Sequence, residues 1–371
     1  MRYQMTVDAG HDPGTGRRRQ IRRRFTTEKA ARDELKKVQG GVDAGTYVHA
    51  SKLTVDQACE AWLASKHSLK PSTLRGHRSK LAALRVELGH VAVQKLSKAD
   101  LDTLIGRLRR GEIEGRKPWT PRSCNYLLHL TTAVLDDQQA QGNVVRNVAR
   151  LVDRVAGDPQ TYRTLTDAEM FKILDHDCRD RHLWALALYG LRRGEVAGLR
   201  WTNVDLKGKT VTIAENRLAV GREIVVGTPK SKASSRTLPL PDEVVDVLKA
   251  ARKHQTEERL AFGAGYGPGE YVACDETGQP YHPNLLTFRW SKLLEDFKIE
   301  HVRLHDARHS CATLMHLRGV PIAVIAAWLG HASAAFTMSV YAHSQDAALK
   351  DAASSFARVV TTCDTETGSE S

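Results

Sequence analysis

The sequence lacks paired cysteines, long apolar runs and an apolar leader. Its six cysteines are scattered and form no CxxC pair: Cys59, Cys124, Cys178, Cys274, Cys311 and Cys363. This spacing indicates neither a disulfide framework nor a zinc site, so we interpret them as free thiols in a reducing compartment. No apolar run reaches the length of a membrane span, and the amino terminus lacks the apolar region of a secretory signal. We therefore expect a cytosolic protein.

Acidic residues are outnumbered by basic ones. The chain of 371 residues has 55 lysines and arginines against 43 aspartates and glutamates, a formal net charge of +12. This excess favours a polyanionic partner, with nucleic acid first and an acidic membrane surface second. A hydrophobic content of 41% indicates a folded chain rather than a disordered one. The length leaves room for two or three domains.

The first 50 residues are predicted to form a small α+β module. A strand over 3–7, a turn over 10–16 and a strand over 20–25 precede a helix that begins near Thr27. Six arginines crowd this hairpin: Arg17, Arg18, Arg19, Arg22, Arg23 and Arg24. A solvated basic face is one interpretation. A sheet that contacts DNA is the other, because arginines so close together repel one another unless phosphates lie between them.

Residues 53–155 have a helical pattern with basic outer faces. Apolar residues recur at helical spacing in four segments, whose starts are predicted at Thr54, Pro71, Ser97 and Pro121. A short fifth helix is expected over 144–152. The pattern predicts a compact bundle, and by itself it indicates only a helical domain that could bind DNA.

A mixed region follows a linker near residues 157–164. Helices are expected up to about 176 and over 181–190, and again from Pro241 onward with a loop over 262–284. Between them the period changes, and three short strands are predicted over 210–213, 223–226 and 236–240. The predicted fold class is multidomain and mainly α. It comprises a small α+β amino-terminal domain, a helical domain and a mixed, mainly-α domain with a small three-stranded β-sheet.

Three motifs in the mixed region carry side chains suited to phosphate chemistry. Gly190–Glu195 is weak alone, because its arginine could simply pair with its glutamate. His305 and Arg308 are three residues apart, so on a helix they face the same way. A Leu-Gly-His sequence ends at His331, and Tyr341 follows ten residues later. Together these groups suit a phosphodiester that is attacked by a phenol: arginines hold the non-bridging oxygens, histidines donate hydrogen bonds and the tyrosine is the nucleophile.

The order of these motifs resembles the tyrosine recombinase (phage integrase) family. Gly-Leu-Arg is followed by a hairpin lysine, His-x-x-Arg, Leu-Gly-His and the tyrosine. The resemblance is close over residues 160–358, which would form the catalytic domain. Residues 53–155 look like the family's core-binding domain, and residues 1–50 like the arm-type DNA-binding domain of larger phage integrases. Residues 359–371 would be a flexible tail.

The resemblance implies a role for each motif residue. The catalytic set would be Arg192, Lys230, His305, Arg308, His331 and the nucleophile Tyr341. Lys232 competes with Lys230 as the general acid. Tyr189 stands where the family commonly has Thr or Ser, and we expect this departure to be tolerated.

Neighbouring polar residues are expected to serve the structure. This group comprises Glu195 and Asp306 as structural partners, Asp205 at the start of the hairpin, Arg193 and His309 as supporting or surface residues that sit beside catalytic ones but point elsewhere on a helix, and His343 as a local or solvent-facing residue. A helix over 345–359 is expected to pack on a neighbouring protomer.

The resemblance implies a site-specific recombinase. It would cleave and rejoin DNA through a 3′-phosphotyrosine and a Holliday junction, without a metal or other cofactor. Its partners would be core and arm-type DNA sites, three further copies of the chain in a homotetramer, and proteins that bend DNA or control direction. It would act in the cytoplasm of a bacterial host, on the nucleoid. A type IB topoisomerase and a DNA-binding regulator with a decayed catalytic set are the alternatives.

Overall fold

The computed structural model describes residues 3–11, 18–43, 47–48, 50–157, 163–221, 223–227 and 235–331. The chain separates into two compact units, Met1–Pro159 and Gln160–Ser371. The cysteines within the described ranges are free thiols. Among the described residues no helix has both the length and the apolar character needed to cross a membrane.

The first unit opens with an antiparallel hairpin and a helix. Strand β1 (Tyr3–His11) pairs with β2 (Arg18–Phe25), and helix α1 (Glu28–Asp43) follows. Because side chains alternate along a strand, residues paired across the hairpin share a face. Val7 lies opposite Ile21, and α1 covers this face to bury a small core that includes Met5 and Val38. The predicted α+β module is confirmed.

The arginines of β2 do not share one face. Arg23 lies opposite Met5, on the face that α1 covers, and it forms an ion pair with Glu34. Arg22 and Arg24 alternate with Arg23, so they lie on the opposite face, although all three residues are exposed. A basic sheet surface therefore includes Arg22 and Arg24 but not Arg23. Outside the described part of the molecule lie Arg17 and the side chains of Arg18 and Arg19.

The rest of the first unit is a helical bundle. Its helices are α2 (Val55–Ala64), α3 (Pro71–Leu88), α4 (Lys98–Arg110) and α5 (Pro121–Ala140). Thr54 and Ser97 close capping boxes, and Pro71 and Pro121 occupy first turns, so all four predicted starts are confirmed. In place of the expected fifth helix, only the short 3₁₀ turn Val148–Leu151 forms.

The second unit begins with three helices that lead into two small sheets. The helices are α6 (Asp167–Asp175), α7 (Arg181–Leu188) and α8 (Arg193–Gly198). The first sheet has the order β3 (Val204–Asp205), β4 (Thr210–Ile213) and β7 (Arg236–Pro239), all antiparallel. The second is the hairpin of β5 (Asn216–Val220) and β6 (Glu223–Gly227).

The three-stranded sheet therefore differs in membership from the prediction. The strand expected over 223–226 exists, but it pairs with the unpredicted β5 rather than joining the sheet. Val204–Asp205 is the third strand of the sheet instead. The sequence did not predict it, because two residues are too few to show the alternation typical of a strand. The Asp205 carboxylate accepts the N–H groups of Lys207 and Gly208 at 3.0 and 2.8 Å, so this residue shapes the turn as expected.

Four further helices complete the described part of the second unit. They are α9 (Asp242–Phe262), α10 (Pro283–Asp296), α11 (Leu304–Leu317) and α12 (Ile322–Leu329). Trp290 is fully buried, lies 5.6 Å from the Trp184 ring, and donates its indole N–H to Val302 O at 2.7 Å. This core fixes α10 against the segment that leads into α11.

Candidate active site

A tight turn after α7 brings the first motif against the end of α12. Gly190 has a φ of +104°, and a Cβ there would lie 3.1 Å from Leu329 Cδ2. Trp328 donates its indole N–H to Tyr189 O at 2.9 Å, and the two rings meet edge to face. The Tyr189 hydroxyl donates to Pro239 O. Tyr189 is thus accommodated as a packing residue, and the glycine after it permits the close approach.

Three arginines from three elements bind three consecutive carbonyls at the end of α12. Arg236 of β7 donates to Trp328 O at 2.6 Å, Arg308 of α11 donates to Leu329 O, and Arg192 donates to Gly330 O at 3.0 Å. The last carbonyls of a helix lack intrahelical partners and carry partial negative charge, so they attract cations. We call Arg192, Arg236 and Arg308 the arginine collar. Arg308 also donates to Gly190 O at 2.7 Å, which joins the turn to the collar.

Glu195 sits between two members of the collar. It is 3% exposed, and its carboxylate accepts from Arg192 Nη1 at 2.7 Å and from Arg236 Nη2 at 3.1 Å. Burial opposes its ionisation, but the hydrogen bond and charge of Arg236, followed by those of Arg192, lower the pKa of the carboxyl overall. Glu195 is therefore an ionised structural partner, as the sequence predicted.

The two motif residues of α11 occupy different environments. Arg308 is 1% exposed, whereas His305 is exposed. His309 is buried, and its ring lies edge-on to that of His305, with centroids 5.3 Å apart, so it supports His305 rather than lying at the surface. Asp306 is held by two hydrogen bonds from Arg303, at 2.7 and 3.0 Å, as expected of a structural partner.

Both candidate histidines are neutral at neutral pH. Although His305 is exposed, partial desolvation of its ring, which His309 contacts, followed by the charges of His309 and Arg308, lowers its pKa to about 4. Desolvation, then Arg308 and Arg192, does the same for His331, whose pKa is also about 4. A neutral imidazole donates from one ring nitrogen and accepts at the other. Each ring can therefore donate a hydrogen bond to an anion without itself carrying a positive charge.

A cleft of about 540 Å³ opens beside these residues. It is lined by Arg192, Arg193, Gly194, Glu195, Asn216, Leu218, Thr287, Arg303, Leu304 and His305. The Arg192 side chain is 29% exposed, so a ligand in the cleft can reach it. Arg193 donates to Thr287 Oγ1 at 3.0 Å and to Asn284 at 3.2 Å, so it is held at the cleft wall and away from the collar.

The comparison with protein families decides the kinship of the chain. The profile described as the phage integrase family matches residues 163–348. The chain belongs to the phage integrase family. Among its relatives, a protein named tyrosine recombinase XerC-like, from Caldanaerobacter subterraneus subsp. tengcongensis, is 26% identical over 372 residues, with 92% of each chain covered.

Solved structures of integrases share the fold of this family member. The Tn1549 transposon integrase in complex with a circular intermediate DNA matches with a TM-score of 0.65 and 16% identity, over 78% of this chain and 95% of that one. A lambda integrase tetramer bound to a Holliday junction matches with a TM-score of 0.56 and 16% identity, over 87% and 92% of the two chains.

The structure brings together Arg192, His305, Arg308 and His331 of this integrase-family chain around the end of α12. Lys230, its competitor Lys232, Tyr341 and His343 lie outside the described residues. Sequence reasoning missed Arg236. Its signal was its position two residues before the inward-facing Leu238 of β7, which places its side chain on the buried face of the strand.

Proposed function

We propose that this chain is a site-specific DNA recombinase that cleaves and rejoins strands through Tyr341. The observation that carries the proposal is the convergence of Arg192 and Arg308 on the carbonyls of adjacent residues, beside two neutral histidines. Two guanidiniums so placed suit the two non-bridging oxygens of one phosphodiester. Membership of the phage integrase family supports the same reaction.

In the proposed cleavage, the Tyr341 oxygen attacks phosphorus and the bond to the 5′ oxygen breaks. The phenolic proton passes to His305, and Lys230 protonates the departing 5′ oxygen. A phenol with a pKa near 10 costs about 4 kcal/mol to ionise at neutral pH, which the collar charges reduce. Desolvation and nearby charges lower the pKa of His305 to about 4. We expect the negative charge of the scissile phosphate to raise this pKa and make the ring a better base. His331 donates a hydrogen bond to a non-bridging oxygen.

Arg192 and Arg308 differ in how they meet DNA. Arg192 opens onto the cleft, whereas Arg308 is almost fully buried. We therefore expect the surroundings of Arg308 to change when DNA binds.

Rejoining needs no external energy source, because the phosphotyrosine bond replaces the bond that was cleaved. The 5′ hydroxyl of a partner strand attacks that linkage and releases Tyr341. Two such rounds, through a Holliday junction, would integrate or excise a DNA element in the cytoplasm of a bacterial host. We propose a homotetramer for this exchange, with the segment 345–359 packing on a neighbouring protomer. The tetrameric lambda integrase on a Holliday junction supports that assembly.

The domains divide the DNA contacts in this proposal. Residues 1–50 bind arm-type sites, and residues 53–155 and 160–358 grip the core site. Within the amino-terminal domain, exposed Arg22 and Arg24 supply phosphate contacts, together with Arg17, Arg18 and Arg19, whereas Arg23 is held by Glu34. Proteins that bend DNA or control direction would act with the tetramer.

The nucleophile is tested with a nicked suicide substrate that carries the proposed core site. The wild-type chain should form a covalent protein–DNA adduct, because loss of the short cleaved strand prevents rejoining. Tyr341→Phe should bind the same DNA with unchanged affinity and form no adduct. An adduct with the phenylalanine variant, or none with the wild type, would refute the proposal. Relaxation of supercoils without exchange between two marked sites would indicate a topoisomerase instead.

The general acid is tested by changing the leaving group. Lys230→Ala should cleave ordinary DNA slowly and recover most of its rate on a substrate whose 5′ oxygen is replaced by sulfur, because a thiolate leaves without a proton. Lys232→Ala is the matched control and should cleave both substrates at the wild-type rate. If Lys232→Ala rather than Lys230→Ala is slow on ordinary DNA and recovers on the sulfur-containing substrate, Lys232 is the general acid.

A further inference from the structure

Arg236 holds three points of the site at once. Its Nε donates to Trp328 O at 2.6 Å, and its Nη1 and Nη2 donate to the two carboxylate oxygens of Glu195 at 3.3 and 3.1 Å. Its side chain is 8% exposed, so little solvent screens these contacts. One guanidinium therefore joins β7 to the start of α8 and to the end of α12.

Charge balance explains why a second cation is needed beside Glu195. The buried carboxylate binds both the side chain and the backbone N–H of Arg192, at 2.7 and 3.0 Å. If Arg192 were its sole cationic partner, the pair would be neutral and Arg192 would offer a phosphate little net charge. With Arg236 present the three groups carry a net charge of +1, which remains directed toward the cleft through the more exposed Arg192.

We propose that Arg236 is a positioning residue for strand cleavage, which shares the charge of Glu195 so that Arg192 stays available to the scissile phosphate. The proposal rests on the proposed recombinase function. Arg236 does not touch the substrate in this scheme. It acts through Glu195 on the charge of Arg192. Through Trp328 O it also fixes the end of α12, whose carbonyls Arg192 and Arg308 bind.

A rescue experiment separates this role from a merely structural one. Arg236→Gln should slow single-turnover adduct formation on the nicked substrate by about 10- to 100-fold, the effect of one unit charge at short range in a poorly screened site. Adding Glu195→Gln removes the carboxylate that would otherwise neutralise Arg192, so the double variant should regain most of this loss. Arg236→Lys keeps the charge and should fall between the wild type and Arg236→Gln. DNA affinity should change far less than the cleavage rate.

A half-buried ion pair elsewhere in the second unit supplies the matched control. Arg179 donates to Glu258 at 2.7 Å, and neither residue contacts the collar. Arg179→Gln should lower the unfolding midpoint as Arg236→Gln does, while the cleavage rate per folded molecule stays at the wild-type value. Unfolding midpoints of all variants show how much of any lost rate reflects lost protein.

Two outcomes would overturn the positioning role. One is a double variant that cleaves as slowly as Arg236→Gln or more slowly, because the defect would then not pass through the Glu195 charge. The other is an Arg236→Gln variant that cleaves at the wild-type rate. Sulfate binding provides a readout that does not require cleavage: the sulfate-induced rise in unfolding midpoint, relative to chloride at equal ionic strength, should shrink in Arg236→Gln and return in the double variant. A wild-type chain that forms no adduct refutes the recombinase function, while the sulfate series still decides whether Arg236 controls anion binding.

Discussion

Replacing Gly190 by alanine should destabilise the second unit more than the same change at Gly319. Both glycines have a positive φ, +104° and +78° respectively, a conformation that costs a residue with a Cβ roughly 1–2 kcal/mol. Their surroundings differ. A Cβ at Gly190 would lie 3.1 Å from Leu329 Cδ2 and 3.4 Å from the Trp328 ring, whereas one at Gly319 would meet nothing within 4 Å. Crowding adds about 1–3 kcal/mol, so we expect a loss of about 2–5 kcal/mol for Gly190→Ala against about 1–2 kcal/mol for Gly319→Ala.

Urea unfolding of both variants and the wild type measures this difference, and adduct formation on the nicked substrate adds a functional readout. The Gly190 carbonyl accepts from Arg308, and the crowded Leu329 supplies the other carbonyl of that arginine. Gly190→Ala should therefore also slow cleavage per folded molecule, whereas Gly319→Ala should not. Equal losses of stability in the two variants would show that the turn and the end of α12 separate easily, so that no crowding penalty exists at Gly190.

Three further predictions concern pH, charge and packing. The pKa values of His305 and His331 are about 4 in the folded chain, below the ordinary 6.5. Because the unfolded chain binds more protons between these values, the free energy of unfolding should stay constant above pH 6.5 and fall as the pH drops toward 4. Because solvent screens such groups, we expect His331 to contribute only about 1–2 kcal/mol to this fall in the free energy of unfolding. The contribution is measured as the change, from pH 7.5 to pH 4.5, in the difference in unfolding free energy between the wild type and His331→Gln. Arg22→Ala should reduce the slope of log Kd against log salt for arm-site DNA by about 1, and Arg23→Ala should leave the slope unchanged. Trp290→Phe should cost about 2–4 kcal/mol in urea unfolding, because it opens a cavity and removes a buried hydrogen bond.

Each of these has a contradictory outcome. A constant stability difference between wild type and His331→Gln at the two pH values would mean that His331 has an ordinary pKa in the folded chain. Equal salt slopes for Arg22→Ala and wild type would remove the exposed face of β2 from the DNA contacts. A loss below about 1 kcal/mol for Trp290→Phe would show that the core relaxes around the smaller ring.

The sequence predicted most helices because their signals are local. Thr54 and Ser97 form capping boxes in the first turns of their helices. The helix predicted to begin at Pro241 and end near residue 262 agrees with α9. His305 and Arg308 lie on one helix, as their spacing predicted. A capping box or a three-residue spacing needs no knowledge of the rest of the chain.

The remaining features depend on partners distant in sequence. Val204–Asp205 became a strand because β4 was available to pair with it, and β6 paired with β5 rather than with the sheet. Arg236 binds Glu195 across 41 residues and Trp328 across 92 residues. The sequence showed a polar residue at an inward position of β7, but it could not show which carboxylate and which carbonyl that residue would meet.

Three cations that bind one short peptide segment cannot be adjusted one at a time. Trp328, Leu329 and Gly330 offer only backbone oxygen to the collar, so a shift of any one peptide unit moves the acceptor of its neighbour. Two collar substitutions together should therefore lower the free energy of unfolding by less than the sum of their separate effects. The first substitution already displaces the carbonyls that the second arginine would bind. The end of α12 makes the anion site a single cooperative element.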